Sequence, residues 1–202
     1  MVSIIDYGVG NLGSLLNIHK RVGIEAQITA SPKKIKNSTH LILPGVGSFD
    51  NAMNRLNDSG IIPPLEDTVF EKKIPILGIC LGMQMMTKKS EEGNCDGLGW
   101  IDGKVKKFLL PKTMKIPHVG WNIVSVKNDN FLMKINSQLR FYFVHSYYVN
   151  CHNERNIIGI TNYGFDFVSS FKQKNIYGVQ FHPEKSHNYG KELLKNFSDI
   201  KK

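Results

Sequence analysis

The sequence predicts an α/β fold: a mostly parallel central sheet flanked by helices, with antiparallel strands added to it. Two observations carry this. In the first half, short apolar runs that stop at Gly or Pro alternate with stretches whose apolar residues recur at helical spacing. Strand–helix units of that length build a parallel sheet covered on both faces. Between residues 99 and 181, several short strand-like segments follow one another, some of them separated by turn signals, which suggests antiparallel strands.

Taken in order, Val2–Tyr7 is an apolar run that stops at Gly8, as a buried strand does. Asn11 precedes Leu12, Leu15, Leu16 and Ile18 and is expected to cap a helix through His19. Ile24–Thr29 and His40–Leu43 read as the next strands, the latter ended by Pro44-Gly45. Phe49–Leu56 reads as helical, and Ile62–Lys72 contains a further helix that Pro63-Pro64 would start. Ile74–Ile79 is a fourth buried strand, and the chain returns to helix from Leu81. Strands are then expected at Trp100–Lys107, Trp121–Val126, Arg140–Val149, Ile157–Thr161, Phe165–Phe171 and Asn175–Phe181, with a turn at Asn128-Asp129-Asn130 and a closing helix at Tyr189–Phe197. No repeat, low-complexity tract or Pro/Ser-rich linker interrupts the chain, so residues 1–202 are read as one domain.

The net charge is +9, from 26 Lys plus Arg against 17 Asp plus Glu. The lysines are scattered in short groups without interleaved aromatics, so they read as a solvated exterior rather than a nucleic-acid surface. Three cysteines at irregular spacing, with no C-x-x-C pair, argue against a disulfide framework and a structural zinc site. No charged leader precedes a long apolar stretch, and no apolar run approaches the roughly 18 residues of a membrane span. The expectation is a reduced, cytoplasmic protein with no metal, no cofactor and no membrane association.

The chemistry concentrates at Gly78-Ile79-Cys80-Leu81-Gly82, where a buried strand runs into a helix. Gly-x-Cys-x-Gly in that setting is the nucleophile elbow with Cys in place of Ser. The turn forces the nucleophile into a strained backbone conformation, and its flanking glycines leave room for neighbouring chain. The start of the following helix favours a thiolate. His182 stands at the carboxyl end of the last strand, the edge where sites gather in open sheets. Glu184 is placed to hold one ring nitrogen and leave the other for the Cys80 proton. For a developing oxyanion, the backbone N–H of Leu81 and the glycine-rich turn Gly45-Val46-Gly47 offer donors. The Lys-Ser/Thr ending of a phosphate loop is absent there.

Gly-Ile-Cys-Leu-Gly-Met-Gln at 78–84 and Phe-His-Pro-Glu-Lys-Ser at 181–186 resemble the class I, triad-type glutamine amidotransferases, whose fold is flavodoxin-like. Four further segments resemble the glutaminase subunits of imidazole glycerol phosphate synthase: 5–11, 43–49, Lys115–Asn122 and Phe141–Tyr148. That resemblance implies that Cys80 attacks the side-chain amide of L-glutamine, that His182 acts as base and acid, and that Glu184 orients His182. It implies that Gln84 and the Ser146-Tyr147 segment grip the amino-acid end, and that Gly45-Val46-Gly47 is the oxyanion strand. It further implies a heterodimer with a (β/α)8-barrel cyclase that receives the ammonia, with His118, Tyr142 and Lys185 near the interface. Two other readings stand beside this one. One is a glutaminase of the same type that supplies ammonia for amidation of a cell-surface sugar. The other is a catalytically idle binding module, which the intact elbow and His–Glu pair disfavour.

Overall fold

A computed structural model describes residues 1–127, 130–133 and 139–201; the turn expected at Asn128-Asp129 lies outside them. The order is β1 (Val2–Ile5), α1 (Leu12–Arg21), β2 (Ala26–Thr29), α2 (Pro32–Lys36), β3 (His40–Leu43), α3 (Phe49–Asp58), α4 (Ile62–Glu66), β4 (Ile76–Ile79), α5 (Leu81–Met85), β5 (Lys89–Ser90), β6 (Gly103–Lys107), β7 (His118–Val126), β8 (Leu139–His145), β9 (Tyr147–Cys151), β10 (Ile157–Tyr163), β11 (Phe165–Gln173), β12 (Ile176–Val179) and α6 (His187–Ser198).

The sheet runs β2-β1-β3-β4-β12-β11-β10-β7-β8, with β9 joined to β11 and β6. Its first five strands are mutually parallel. From β11 onward the main path is antiparallel. Both faces of the parallel part are covered. Ile5, Leu41, Leu43 and Ile76 pack with Phe49, Leu56 and Leu65 from α3 and α4 on one side. Val2, Ile4, Ile42 and Leu77 pack with Leu15 of α1 and Leu194 and Phe197 of α6 on the other. Alternate residues of one strand serve opposite faces, so these runs are apolar throughout.

Several elements depart from the sequence expectation. Asn11 makes no side-chain cap; its carbonyl accepts the Leu15 N–H at 3.2 Å. The run read as Arg140–Val149 is two strands, β8 and β9, separated at Ser146. The helix after Cys80 holds for only five residues, because the Thr87 hydroxyl donates to the Gln84 carbonyl at 2.8 Å and the chain turns into β5. Helix α2 was not foreseen.

Candidate active site

Cys80 lies between β4 and α5 at φ 53°, ψ −110°. A non-glycine residue there is strained and must be held by its surroundings. Its N–H donates to the Val179 carbonyl at 2.8 Å, and its own carbonyl accepts the Gln84 N–H at 3.2 Å. The glycines answer a steric demand. A Cβ on Gly78 would lie 2.8 Å from the Met83 nitrogen, and one on Gly45 would lie 2.5 Å from the Gly82 nitrogen. A Cβ on Gly82 would run into the Leu43 carbonyl. The elbow and the turn after β3 therefore interlock backbone against backbone.

Parallel pairing of β4 with β12, in register Ile79 to Val179, brings residues 180–182 beside Cys80 across a hundred residues of sequence. The segment is pinned by the His182 N–H to the Tyr142 carbonyl at 2.9 Å. The Ser186 hydroxyl donates to the His182 carbonyl at 2.6 Å. His182 Nδ1 donates to Glu184 Oε1 at 2.8 Å, with both side chains buried. Its other nitrogen, Nε2, has no hydrogen-bond partner among the described residues. Burial alone would lower the basicity of this ring. The neighbouring sulfur of Cys80 and the Glu184 carboxylate outweigh it and raise the imidazole from 6.5 to about 10.

This shift has a sign that can be checked. A histidine whose value is raised on folding lends stability that is complete below the unfolded value of 6.5 and is lost as pH rises through about 10. Denaturant unfolding of the wild-type chain should show a fall in stability across that interval. Cys80→Ala, which removes the sulfur partner, should shrink it. Equal slopes in the two proteins would refute the pairing.

Cys80, Leu81, Gln84, Ser146, Tyr147 and His182 line one cavity of about 370 Å³, together with Val46, Gly47 and Lys185. Gly45 sits behind them, packed on the elbow. Lys185 is exposed, with its ammonium 5.8 Å from the centre of the half-buried Tyr142 ring. His118, expected near the partner interface, is itself buried, only 2 % exposed. The pleat of β7 turns it inward and leaves Val119, Trp121 and Ile123 on the outer face, where they are exposed.

Sequence reading passed over three residues here. Glu92, the one carboxylate lining the cavity among the described residues, accepts the Phe49 N–H at 3.0 Å, and burial raises its carboxyl above the ordinary range. Gln180, fully buried, donates from its side-chain nitrogen to Cys80 Sγ at 3.6 Å. His145 lines the cavity and is buried. Gln180 alone had a signal, since parallel pairing of the fourth and last strands puts position 180 opposite position 80. The other two cysteines lack such a setting. Burial pushes the Cys151 thiol up to about 12, and Cys95 lies in a loop tied to Asp50. Among the described residues no three His, Cys, Asp or Glu side chains gather to hold a metal ion, and no helix is long and apolar enough to cross a membrane.

The chain matches the family model for glutamine amidotransferase class-I over residues 3–200. It is 51 % identical over 202 residues to the imidazole glycerol phosphate synthase subunit HisH 2 of Methanococcus maripaludis, covering 98 % of each chain. It is 47 % identical over 204 residues to the HisH subunit of Leptospira borgpetersenii, covering 99 % of this chain and 100 % of that protein. Among solved structures, one titled "Structure of PurLQS from Thermotoga maritima" superposes with a TM-score of 0.75 at 15 % identity, over 98 % of this chain and 97 % of that one. Another, titled as a glutamine amidotransferase, gives 0.74 at 18 % identity, over 97 % and 96 %. These two likenesses speak for the fold, and the sequence matches speak for the family. By its fold, its elbow and its full-length relatives, this chain belongs to the class I glutamine amidotransferases, among the HisH subunits of imidazole glycerol phosphate synthase.

Proposed function

We propose that this chain, acting in the cytoplasm as one domain over residues 1–202, hydrolyses L-glutamine to glutamate and ammonia. The ammonia passes to a (β/α)8-barrel cyclase subunit that forms imidazole glycerol phosphate in histidine biosynthesis. The observation that carries the reading is an elbow cysteine sharing one cavity with a buried His182–Glu184 pair.

In this reading the Cys80 thiolate attacks the side-chain carbonyl carbon of glutamine. A C–S bond forms as the carbonyl π pair moves to oxygen. That oxyanion faces the backbone N–H of Leu81, which as the first residue of α5 has no intrahelical acceptor. It also faces N–H groups of Gly45-Val46-Gly47. Gly47 has φ +89° and open space around its Cα, and Val46 is 40 % exposed, so this strand has room to turn toward the oxygen. Protonated His182 gives its Nε2 proton to the departing nitrogen, the C–N bond breaks, and ammonia leaves a γ-glutamyl thioester. Water then attacks with His182 as base, and glutamate is released as the sulfur leaves. Glu184 keeps the ring oriented throughout.

Glutamine's amino-acid end carries an ammonium and a carboxylate. Glu92 suits the ammonium by charge. Gln84 gives both side-chain hydrogens away, to the Tyr147 carbonyl at 3.1 Å and to Gln180 Oε1 at 3.0 Å, so its own oxygen is left as an acceptor. Ser146 and Tyr147 complete that end. The outer apolar stripe Val119, Trp121 and Ile123, beside Tyr142 on β8, suits a docking partner near the cavity mouth.

The test is co-purification with the barrel protein encoded beside this chain, followed by glutamate release with and without the pathway ribotide. Stimulation by the ribotide is expected. Indifference to it, with turnover in a sugar-amidating system, would move the acceptor to a cell-surface sugar.

A further inference from the structure

The Cys80 sulfur accepts a hydrogen bond that the triad does not provide. Its donor, Gln180, sits in a run of buried polar groups whose directions are fixed by chemistry. The Tyr147 carbonyl can only accept. The Gln84 atom 3.1 Å from it is therefore the amide nitrogen, which also faces Gln180 at 3.0 Å. Gln180 must then present its oxygen to Gln84, which turns its own nitrogen toward Cys80 Sγ at 3.6 Å. No amide flip satisfies the set.

The Tyr147 carbonyl is held from its other side as well. His145 Nδ1 donates to it at 2.8 Å. His145 Nε2, left bare in the neutral ring, accepts from His118 Nδ1 at 2.9 Å. His118 Nε2 accepts from the Asn122 amide nitrogen at 3.2 Å, and that nitrogen also donates to the Asn162 carbonyl at 2.9 Å. Every bond in the run is made with both imidazoles neutral. A proton added to either ring would set two N–H groups against each other. Burial favours the neutral state, lowering His118 to about 4 and His145 to about 3. The Gln84, Gln180, His118 and His145 residues are all buried, which strengthens each bond in the run.

We infer that Gln180 is a further catalytic residue: its side-chain N–H donates to the Cys80 thiolate, and Gln84, His145 and His118 are positioning residues that aim it. The inference rests on the glutaminase reading, because it assigns a role within that same site. A donor to a charged sulfur favours the charged form over the thiol.

The test is alkylation of Cys80 by iodoacetamide at pH 7 in the free chain, followed residue by residue by mass spectrometry so that Cys95 and Cys151 are counted apart. It needs neither glutamine nor partner, so its outcome is separate from that of the glutaminase reading. Gln180→Met removes the donor and keeps the bulk. Loss of a hydrogen bond to a charged group predicts a Cys80 rate about tenfold lower or less. Within the reconstituted complex kcat should fall by a similar factor with KM for glutamine little changed, a split that simple loosening of the core would not give. Gln180→Glu, which puts an oxygen where the nitrogen stood, should slow alkylation at least as much. A folded Gln180→Met chain alkylated at the wild-type rate would overturn the inference. The wild-type chain gives a reading that no substitution can spoil. One of the two Gln180 side-chain amide protons should move in the NMR spectrum when Cys80 is alkylated, while its geminal partner holds. Two unmoved protons would overturn the inference equally.

Discussion

Cys80→Ala in complex with the barrel subunit should release glutamate at least about 10⁴-fold more slowly than the wild type, because no other group present can form the acyl bond. Neither remaining cysteine can stand in. Cys151 is buried with its thiol pushed up to about 12, and Cys95 lies outside the cavity. The substitution should leave the fold intact. Alanine meets the same left-handed backbone demand at φ 53° that cysteine meets, and the bonds to Val179 and Gln84 are made by the backbone. An unchanged circular dichroism spectrum alongside lost glutaminase activity is the expected pair of results. A Cys80→Ala complex that hydrolyses glutamine at the wild-type rate would remove the nucleophile assignment.

Gly82→Ala should do nearly as much damage by a different route. The added methyl would collide with the Leu43 carbonyl and lie 3.1 Å from the Pro44 carbonyl carbon, all backbone atoms that no rotamer change can clear. Relief requires the elbow to part from the turn that carries Gly45, Val46 and Gly47. Overpacking of this kind costs about 3 kcal/mol at the upper end of the usual range. For a chain of this size that lowers the melting temperature by roughly 6–12 °C. Activity should fall further than stability does, by about 10²-fold or more, since the shift separates the sulfur from an oxyanion donor. Thermal melts and glutaminase rates on the same preparation check both. By contrast Gly13→Ala, inside α1 where an added Cβ meets nothing within 4 Å, should leave activity unchanged and raise the melting temperature slightly.

The parallel half of the fold was legible because each buried strand there is a continuous apolar run with a sharp stop. His40–Leu43 lies where the sequence puts it, and α3 starts at Phe49 as expected, though it runs on to Asp58. The break at Ser146 was not legible. Residues 140–149 keep strand-forming side chains throughout, and what divides them is tertiary: β8 pairs with β7, while β9 pairs with β6 and β11. The residues of the proposed triad stood out through local motifs, a glycine-flanked cysteine and a His-Pro-Glu. Their meeting rests on the β4–β12 pairing, which is a long-range fact. Gln180 and Glu92 were harder, because each works through a partner more than 40 residues away, and His145, whose partners are Tyr147 and His118, has no local pattern of its own. The burial of His118 was not legible either: in a strand, one step along the chain reverses the side chain, and its neighbour Val119 is the one that faces out.

All of these expectations depend on a covalent bond between glutamine's carbonyl carbon and one sulfur. The direct measurement takes the wild-type barrel complex during glutamine turnover, because His182 serves both the departure of ammonia and the attack of water and cannot be removed without slowing acylation as well. Acid quenching and peptide mass mapping should find a γ-glutamyl thioester on Cys80. No acyl peptide in a complex that still consumes glutamine, or an adduct on Cys95 or Cys151 instead, would contradict the account.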